Sequence, residues 1–415
     1  MERWINFQDS LQHRLVNGQL NEDQNKVKDF GIAGHSLVRG VAGSGKSLAL
    51  RNRIEKLIDE GVDDILVVCY NRFMNGWINS QVNERKSDIR IKCATFHSWA
   101  ATELKYSYEW DQNDKTRQKI IHLAEESKLQ YRAILVDEAQ DFYDEWFTAL
   151  LRVLNQDTNS LFFVYDNTQS VYDRPHRRKA DWTWKKLGLE IPGARSQIFD
   201  VNYRNAPEIL EAAWNFILPA LNEAGMKVAK REKARGEIGT IVEPKKKASR
   251  SSGIKPLLVQ MNASERAATI AQQIQLARET YTESSIGILT HPDDRQLREE
   301  ISQQLRFAKI PHHAPRSSRD RNGNVVDRSL VVIDSWNAVK GVEFDAVILV
   351  GIERLSGSAE FQEKAALYTA MTRARDHLVM IYQERSAIVE EVEAAISAER
   401  NSAGTVASDQ LEAES

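Results

Sequence analysis

Cysteine is nearly absent: the 415 residues hold two, Cys69 and Cys93, far apart and without metal-ligand spacing. That excludes a disulfide scaffold and a zinc ribbon, and it fits a reduced cytosolic compartment. Long hydrophobic runs are missing as well. With no stretch able to cross a bilayer and no amino-terminal signal segment, the expectation is a cytoplasmic protein without a membrane partner. Excess charge of one sign is also lacking, since a formal net charge of −3 gives no global field for a polyanion. Any contact with nucleic acid must then rely on local basic surface. No repeat of solenoid period occurs. What is present is a 42% hydrophobic share, enough for a real core. The length suggests about two or three domains.

Apolar runs alternate with helical patterns. SLVRGV, ILVVCY, IRIKCAT, AILVDE and SLFFVYD read as strands of a first lobe. PLLVQM, SIGILT, SLVVIDSW, FDAVILVG and HLVMIY read as a second series beginning near Val201. Alternation of this kind predicts mostly parallel sheets flanked by helices, with ligands at the carboxyl ends of the strands. The glycine-, serine- and lysine-rich GEIGTIVEPKKKASRSSGIKP reads as an exposed hairpin or mobile loop within the second lobe. The acidic tail, residues 389–415, is expected to begin helical and end disordered.

The chemistry is concentrated in two segments. GVAGSGKS at 40–47 follows an apolar run and precedes LALRNRIEKLI, a strand, glycine loop and helix in the order a phosphate-binding loop needs. Gly40, Ala42, Gly43, Ser44 and Gly45 form the loop, whose glycines let backbone N–H groups face phosphate oxygens. Lys46 is expected at the β/γ-phosphates, and the Ser47 hydroxyl on Mg²⁺. ILVDEAQD at 134–141 delivers two adjacent carboxylates to the end of a β-run. In that frame Asp137 holds Mg²⁺, directly or through water, and Glu138 orients or deprotonates the attacking water. Together they point to hydrolysis of a nucleoside triphosphate.

The ordered series of further motifs resembles superfamily 1 helicases of the UvrD/Rep type over roughly residues 19–382. The resemblance implies that Gln24 in QLNEDQNKV reads the adenine edge. It likewise implies that the tyrosine of Asn202-Tyr203-Arg204 stacks on adenine and the arginine contacts the γ-phosphate. By the same resemblance the glutamate of KGVEFD, Glu343, approaches the nucleotide at the ribose, and Arg373 in TAMTRAR is a second arginine finger. Gln169 in VYDNTQSVY matches the glutamine that senses the γ-phosphate and couples it to the nucleic-acid track. For that track, the resemblance points to Tyr70 and to the Thr95, Phe96 and His97 of TFHSW. Aromatic rings beside hydroxyls can stack bases while binding phosphate; the competing place for Trp99 is the core under the sheet.

Departures from the family pattern are as informative. A Gly-Trp-Arg-Gly stretch expected after Gln169 is replaced by VYDRPHRRK, where Arg174 or His176, or the later Trp182 or Trp184, could substitute. The acidic-glycine start of that motif is altered to Tyr165-Asp166. Only a rudimentary first insertion, YSYEWDQNDKTRQKI, is present, and essentially no second. The compact pattern resembles the helicase portion of NERD-associated UvrD-like proteins. Basic clusters at 174–179, 227–235 and 245–250 are candidates for phosphate backbone, with solvated faces as the alternative.

The expectation is therefore an α/β protein of two RecA-like P-loop NTPase lobes with minimal accessory insertions. The first lobe is residues 1–200, with a rudimentary insertion at about 100–130, the second 201–388, and the tail 389–415. The activity implied by resemblance is an ATP- and Mg²⁺-dependent translocase or helicase on single-stranded nucleic acid. DNA is the favoured strand, the direction 3′ to 5′, and the setting repair or phage defence. The alternative is an ATP-gated binding subunit of a larger nuclease or effector complex.

Overall fold

The computed structural model describes residues 21–69, 90–169, 183–235, 239–247, 254–281, 284–315, 329–355 and 360–398. Tyr70, Trp182 and the whole basic cluster at 174–179, with Arg174 and His176, lie outside them, as does the tail beyond residue 398.

The first sheet has six parallel strands: β1 (Ser36–Gly40), β2 (Ile65–Cys69), β3 (Ile91–Thr95), β4 (Ala133–Val136), β5 (Ser160–Tyr165) and β6 (Ser196–Phe199). Their order is β3-β2-β4-β5-β1-β6. Five are the apolar runs of the sequence; β6 is an addition. The strands read as nearly continuous apolar runs because both faces are covered. Alternate residues serve opposite cores. Ala133 and Leu135 of β4 pack with Leu50 and Ile54 of α2 (Lys46–Asp59), beside α1 (Glu22–Lys28). Ile134 and Val136 pack on the other face with Trp99 of α3 (Phe96–Glu103), Ile120 of α4 (Lys119–Glu126) and Phe147 of α5 (Asp144–Arg152). Each fully buried large side chain contributes roughly 1.5–3 kcal/mol.

The second sheet repeats the plan with β7 (Leu257–Gln260), β8 (Ile286–Thr290), β9 (His312–His313), β10 (Val331–Ser335), β11 (Phe344–Val350) and β12 (Ala374–Tyr382). It is again parallel and six-stranded, in the order β7-β12-β11-β8-β10-β9. Helices α6 (Pro207–Glu223), α9 (Phe361–Met371) and α10 (Ala387–Ser397) cover one face. The other is covered by α7 (Arg266–Thr280) and α8 (Arg295–Phe307). This is a two-lobe, P-loop-NTPase-like α/β fold. Among the described residues no helix is long and apolar enough to cross a membrane.

The glycine- and lysine-rich stretch departs from expectation. Its described part is not an exposed hairpin: Ile241–Val242 pairs in parallel with Val228–Ala229, and Lys245–Lys246 with Val201–Asn202. Thr240, Ile241 and Val242 are buried. Residues 227–235 and 239–247 thus run back across the first lobe, where Ala234 and Val242 share a small core with Val41 and Ile198. Some of their basic side chains are paired within the molecule: Lys245 with Asp200 at 2.8 Å and Lys246 with Glu211 at 2.6 Å, whereas Lys227, Lys230, Lys233 and Arg235 are exposed.

Candidate active site

The P-loop turns from β1 into α2 through two left-handed residues, Gly43 (φ +64°) and Gly45 (φ +92°), positions where a side chain would be strained. A Cβ on Gly43 would also meet Arg204 Cβ at 2.5 Å, and one on Gly40 would meet Ser44 Oγ at 2.5 Å. Gly45 supplies no side-chain cap to α2, so the first N–H groups of a 14-residue helix remain for an anion. Lys46 Nζ donates to the carbonyls of Gly40 (2.9 Å) and Val41 (3.0 Å) and lies 3.5 Å from Asp166 Oδ2. The buried Ser44 Oγ has no hydrogen-bond partner. These features suit a polyphosphate.

The carboxylates stand at the ends of β4 and β5. Glu138 adopts a left-handed conformation (φ 52°) that a non-glycine residue holds only at a cost of roughly 1–3 kcal/mol. Its amide donates to Asp137 Oδ1 at 2.9 Å. Gln140 then bridges two acids, donating to Glu138 Oε2 at 2.5 Å and accepting from the Asp166 amide at 3.0 Å. Burial first, and the charge of Glu138 second, push Asp137 up to about 7. Burial would raise Glu138 too, but Lys340 and Lys46 hold it below the usual carboxylate range. A divalent cation beside Asp137 would favour its ionised form, so the donor set of Asp137 and Ser47, completed by phosphate oxygens, suits Mg²⁺. Among the described residues no group of three or more His, Cys, Asp or Glu could hold a metal ion unaided.

Groups from the second lobe close the arrangement. Lys340 Nζ pairs with the fully buried Asp141 and donates to the Gln169 carbonyl at 2.9 Å. Arg373 donates to Gln169 Oε1 at 3.1 Å and to the carbonyl of Thr369 at 3.0 Å. Burial and the neighbouring Arg204 lower the Arg373 guanidinium to about 9, which leaves it protonated at neutral pH. Arg204 pairs with Glu343, whose carboxyl would be raised by burial but is held below its ordinary range by Arg204 and Arg375. Asn202 donates to the P-loop carbonyl of Ala42 at 2.8 Å and to Asn205 Oδ1 at 2.7 Å. Asn205 in turn donates to the carbonyl of Thr372 at 3.0 Å, beside Arg373.

At the end of the cleft beside α1, Gln24 closes a capping box with Asn21 and donates to the Ser44 carbonyl at 3.1 Å. The Tyr203 hydroxyl accepts from Asn21 Nδ2 at 2.6 Å, and the Tyr203 amide donates to the Gly43 carbonyl at 2.9 Å. Hydrogen bonds, ion pairs and charge interactions thus bring the sequence candidates Gln24, Lys46, Glu138, Gln169, Tyr203, Arg204, Glu343 and Arg373 together in one cleft. Sequence reasoning misses Asp166, Gln140, Lys340 and Asn205 as site residues. Asp166 ends an apolar strand just as Asp137 does, and that signal could have found it.

The strand candidates need correction. Phe96 is fully buried, stacked on Trp146 with ring centroids 4.1 Å apart, so its ring is a core element and offers no face to a base. Trp99 and Trp184 are core residues too. Thr95 is spent as the amino-terminal cap of α3, accepting from the Ser98 amide at 3.2 Å. Among the described strand candidates only His97 reaches the surface, its side chain 37% exposed. Its Nε2 lies 2.6 Å from Asp111 Oδ2 in the first insertion, and the other oxygen of Asp111 accepts from Tyr106 (2.8 Å) and Trp146 (3.1 Å). A cavity of about 1370 Å³ lined by Phe30, Leu37, Trp184 and Ile191 contains none of the P-loop residues.

Residues 25–175 match a family model described as an AAA domain, and residues 330–381 one described as a UvrD-like helicase C-terminal domain. No curated protein matches. Among solved structures, the C-terminal domain of a possible DNA helicase from Lactobacillus plantarum WCFS1 is similar at 15% identity and a TM-score of 0.33, over 47% of this chain and 96% of that one, too slight a likeness to bear on function. The two family models support a UvrD-like helicase family and, with it, a nucleotide-using, helicase-like role.

Proposed function

We propose that the chain is an ATP-dependent motor on single-stranded nucleic acid, DNA in the first instance, that hydrolyses ATP in the cleft between its two sheets. Lys46 would exchange its backbone carbonyls for the β/γ-phosphate oxygens, and Ser47 and Asp137 would hold Mg²⁺. That ion, when bound, neutralises charge on the phosphates. Glu138, kept ionised by Lys340 and Lys46, aligns the attacking water and accepts its proton. Arg204 and Arg373, planar and protonated, neutralise the charge spread over the transferring oxygens. Gln24 and Tyr203 hold the base. A 3′-to-5′ direction follows from resemblance alone.

One observation carries this reading: Lys340 and Arg373 of the second lobe both bond Gln169 of the first, at its carbonyl and its side chain respectively. Gln169 stands three residues beyond Asp166, in the turn Asn167–Gln169 that follows β5. A change at the γ-phosphate that moves either cation must move Gln169, which is what coupling of hydrolysis to a strand requires.

The test is steady-state ATP hydrolysis by the purified chain and its Lys46→Ala variant, with no polymer, single-stranded DNA, single-stranded RNA or duplex. Stimulation by a single strand, lost in the variant, is expected. Turnover that is absent, or indifferent to every polymer, would overturn the motor in favour of an ATP-gated binding subunit.

A further inference from the structure

Residues 227–235 and 239–247 belong by sequence to the second lobe, yet they are fastened to the first beside the base-reading end of the cleft. Arg39 of β1 donates to the carbonyls of Ala234 (2.5 Å) and Thr240 (3.2 Å). At one end of this strap Arg231 grips Asp23 with both terminal nitrogens, Nη2 to Oδ1 at 2.5 Å, and lies 3.8 Å from Asp200 at the end of β6. At the other, Lys247 Nζ stands 5.1 Å from the centre of the Tyr203 ring.

Asp23 sits in the first turn of α1, next in sequence to Gln24. That helix has seven residues, too short to hold its own geometry in water. Its orientation therefore depends on what grips it from outside. Gln24 is a useful reader of a base edge only if the backbone beneath it is fixed, because a misplacement of about 1 Å weakens a hydrogen-bonded reading sharply. The forked, bidentate geometry of an arginine–carboxylate pair gives that directional hold, which a lysine would not.

We infer that Arg231 is a positioning residue for base recognition: clamped between Asp23 and Asp200, it fixes the turn of α1 that presents Gln24, and so sets the preference for adenine over guanine nucleotides. This rests on the assignment of Gln24 and Tyr203 to the base. Arg231 touches no part of the hydrolytic network of Lys46, Asp137 and Glu138, so the effect falls on base binding and leaves the chemical step alone.

The experiment is a charge swap, with KM and kcat measured for ATP and GTP in Arg231→Glu, Asp23→Arg and the double variant, and thermal melting recorded for each. Each single variant is expected to raise KM for ATP about tenfold and to narrow the ATP-over-GTP preference, with kcat changed less than about twofold. The double variant restores the pair to residue 23 with reversed sign but sets a glutamate beside Asp200, so partial recovery of both is expected. Arg231→Gln keeps the volume and serves if reversal unfolds the chain: a raised KM for ATP supports the assignment. Unchanged KM and preference in the folded single variants, or a folded double variant that recovers neither, overturns it. A wild-type chain that binds neither nucleotide overturns the functional reading itself, and this inference with it.

Discussion

Two clusters stand at carboxyl ends of strands of the same sheet, and they are built on opposite principles. At the ends of β1, β4 and β5, Lys46, Asp166, Gln140 and Glu138 form a buried chain of charges and amides in which nearly every polar atom is spoken for. At the end of β3, Phe96, Trp99 and Trp146 form an apolar pedestal that lifts one polar group, His97, to the surface. The first is preorganised electrostatics, worth most in a dry cleft. The second is packing that aims a single side chain. Mutations should therefore damage activity at one and folding at the other.

The largest effect is expected at the charged cluster. Lys46→Ala should lower ATP turnover by at least about 10³-fold, and Glu138→Gln by roughly 10²–10⁴-fold, both with melting temperatures near wild type. A Glu138→Gln variant that turned over at the wild-type rate would remove the assigned water-activating role.

Next comes the ion pair that ties the lobes. Lys340→Met leaves the fully buried Asp141 without its cation, and breaking a pair of this kind costs about 3–5 kcal/mol. Denaturant melts should report that loss, and Lys340→Met/Asp141→Leu should recover most of it. A single variant as stable as wild type would contradict the buried bridge.

The aromatic pedestal sharpens the contrast. Phe96→Ala should cost about 3–5 kcal/mol of stability. His97→Ala should cost no more than about 1.5 kcal/mol while raising the strand concentration needed for half-maximal turnover. If Phe96→Ala melted normally and lost only strand binding, the ring would have to leave the core when a strand binds.

The smallest effect at neutral pH lies in His35, buried behind β1. Burial, and then Arg195, lower it from 6.5 to about 4. The folded state thus refuses a proton that the unfolded chain accepts, so stability is full above pH 6.5 and falls as pH drops toward 4, by about 3 kcal/mol. His35→Leu should flatten that slope in melts recorded between pH 7 and 4.

The residues of the proposed nucleotide cleft were legible as a group because they are constrained one by one. Gly43 and Gly45 need left-handed backbone, Lys46 and the Asp137-Glu138 pair need charge at fixed positions after strands, and ten apolar runs marked ten of the twelve sheet strands. The aromatic segment was not, since a phenylalanine after a strand suits a base or a core equally well; only the covering Trp146, 50 residues on, decides. The strap was hidden for a related reason. Arg231, Lys245 and Lys246 look like solvated charge until the chain returns them to Asp23, Asp200 and Glu211, carboxylates whose nearness is tertiary.

The central claim is that Gln169 joins the nucleotide cleft to a strand. It is tested most directly by ATP hydrolysis against increasing single-stranded DNA in wild type and Gln169→Ala. The account predicts that the variant keeps its strand-free rate and loses stimulation. Stimulation equal to wild type in Gln169→Ala would contradict it.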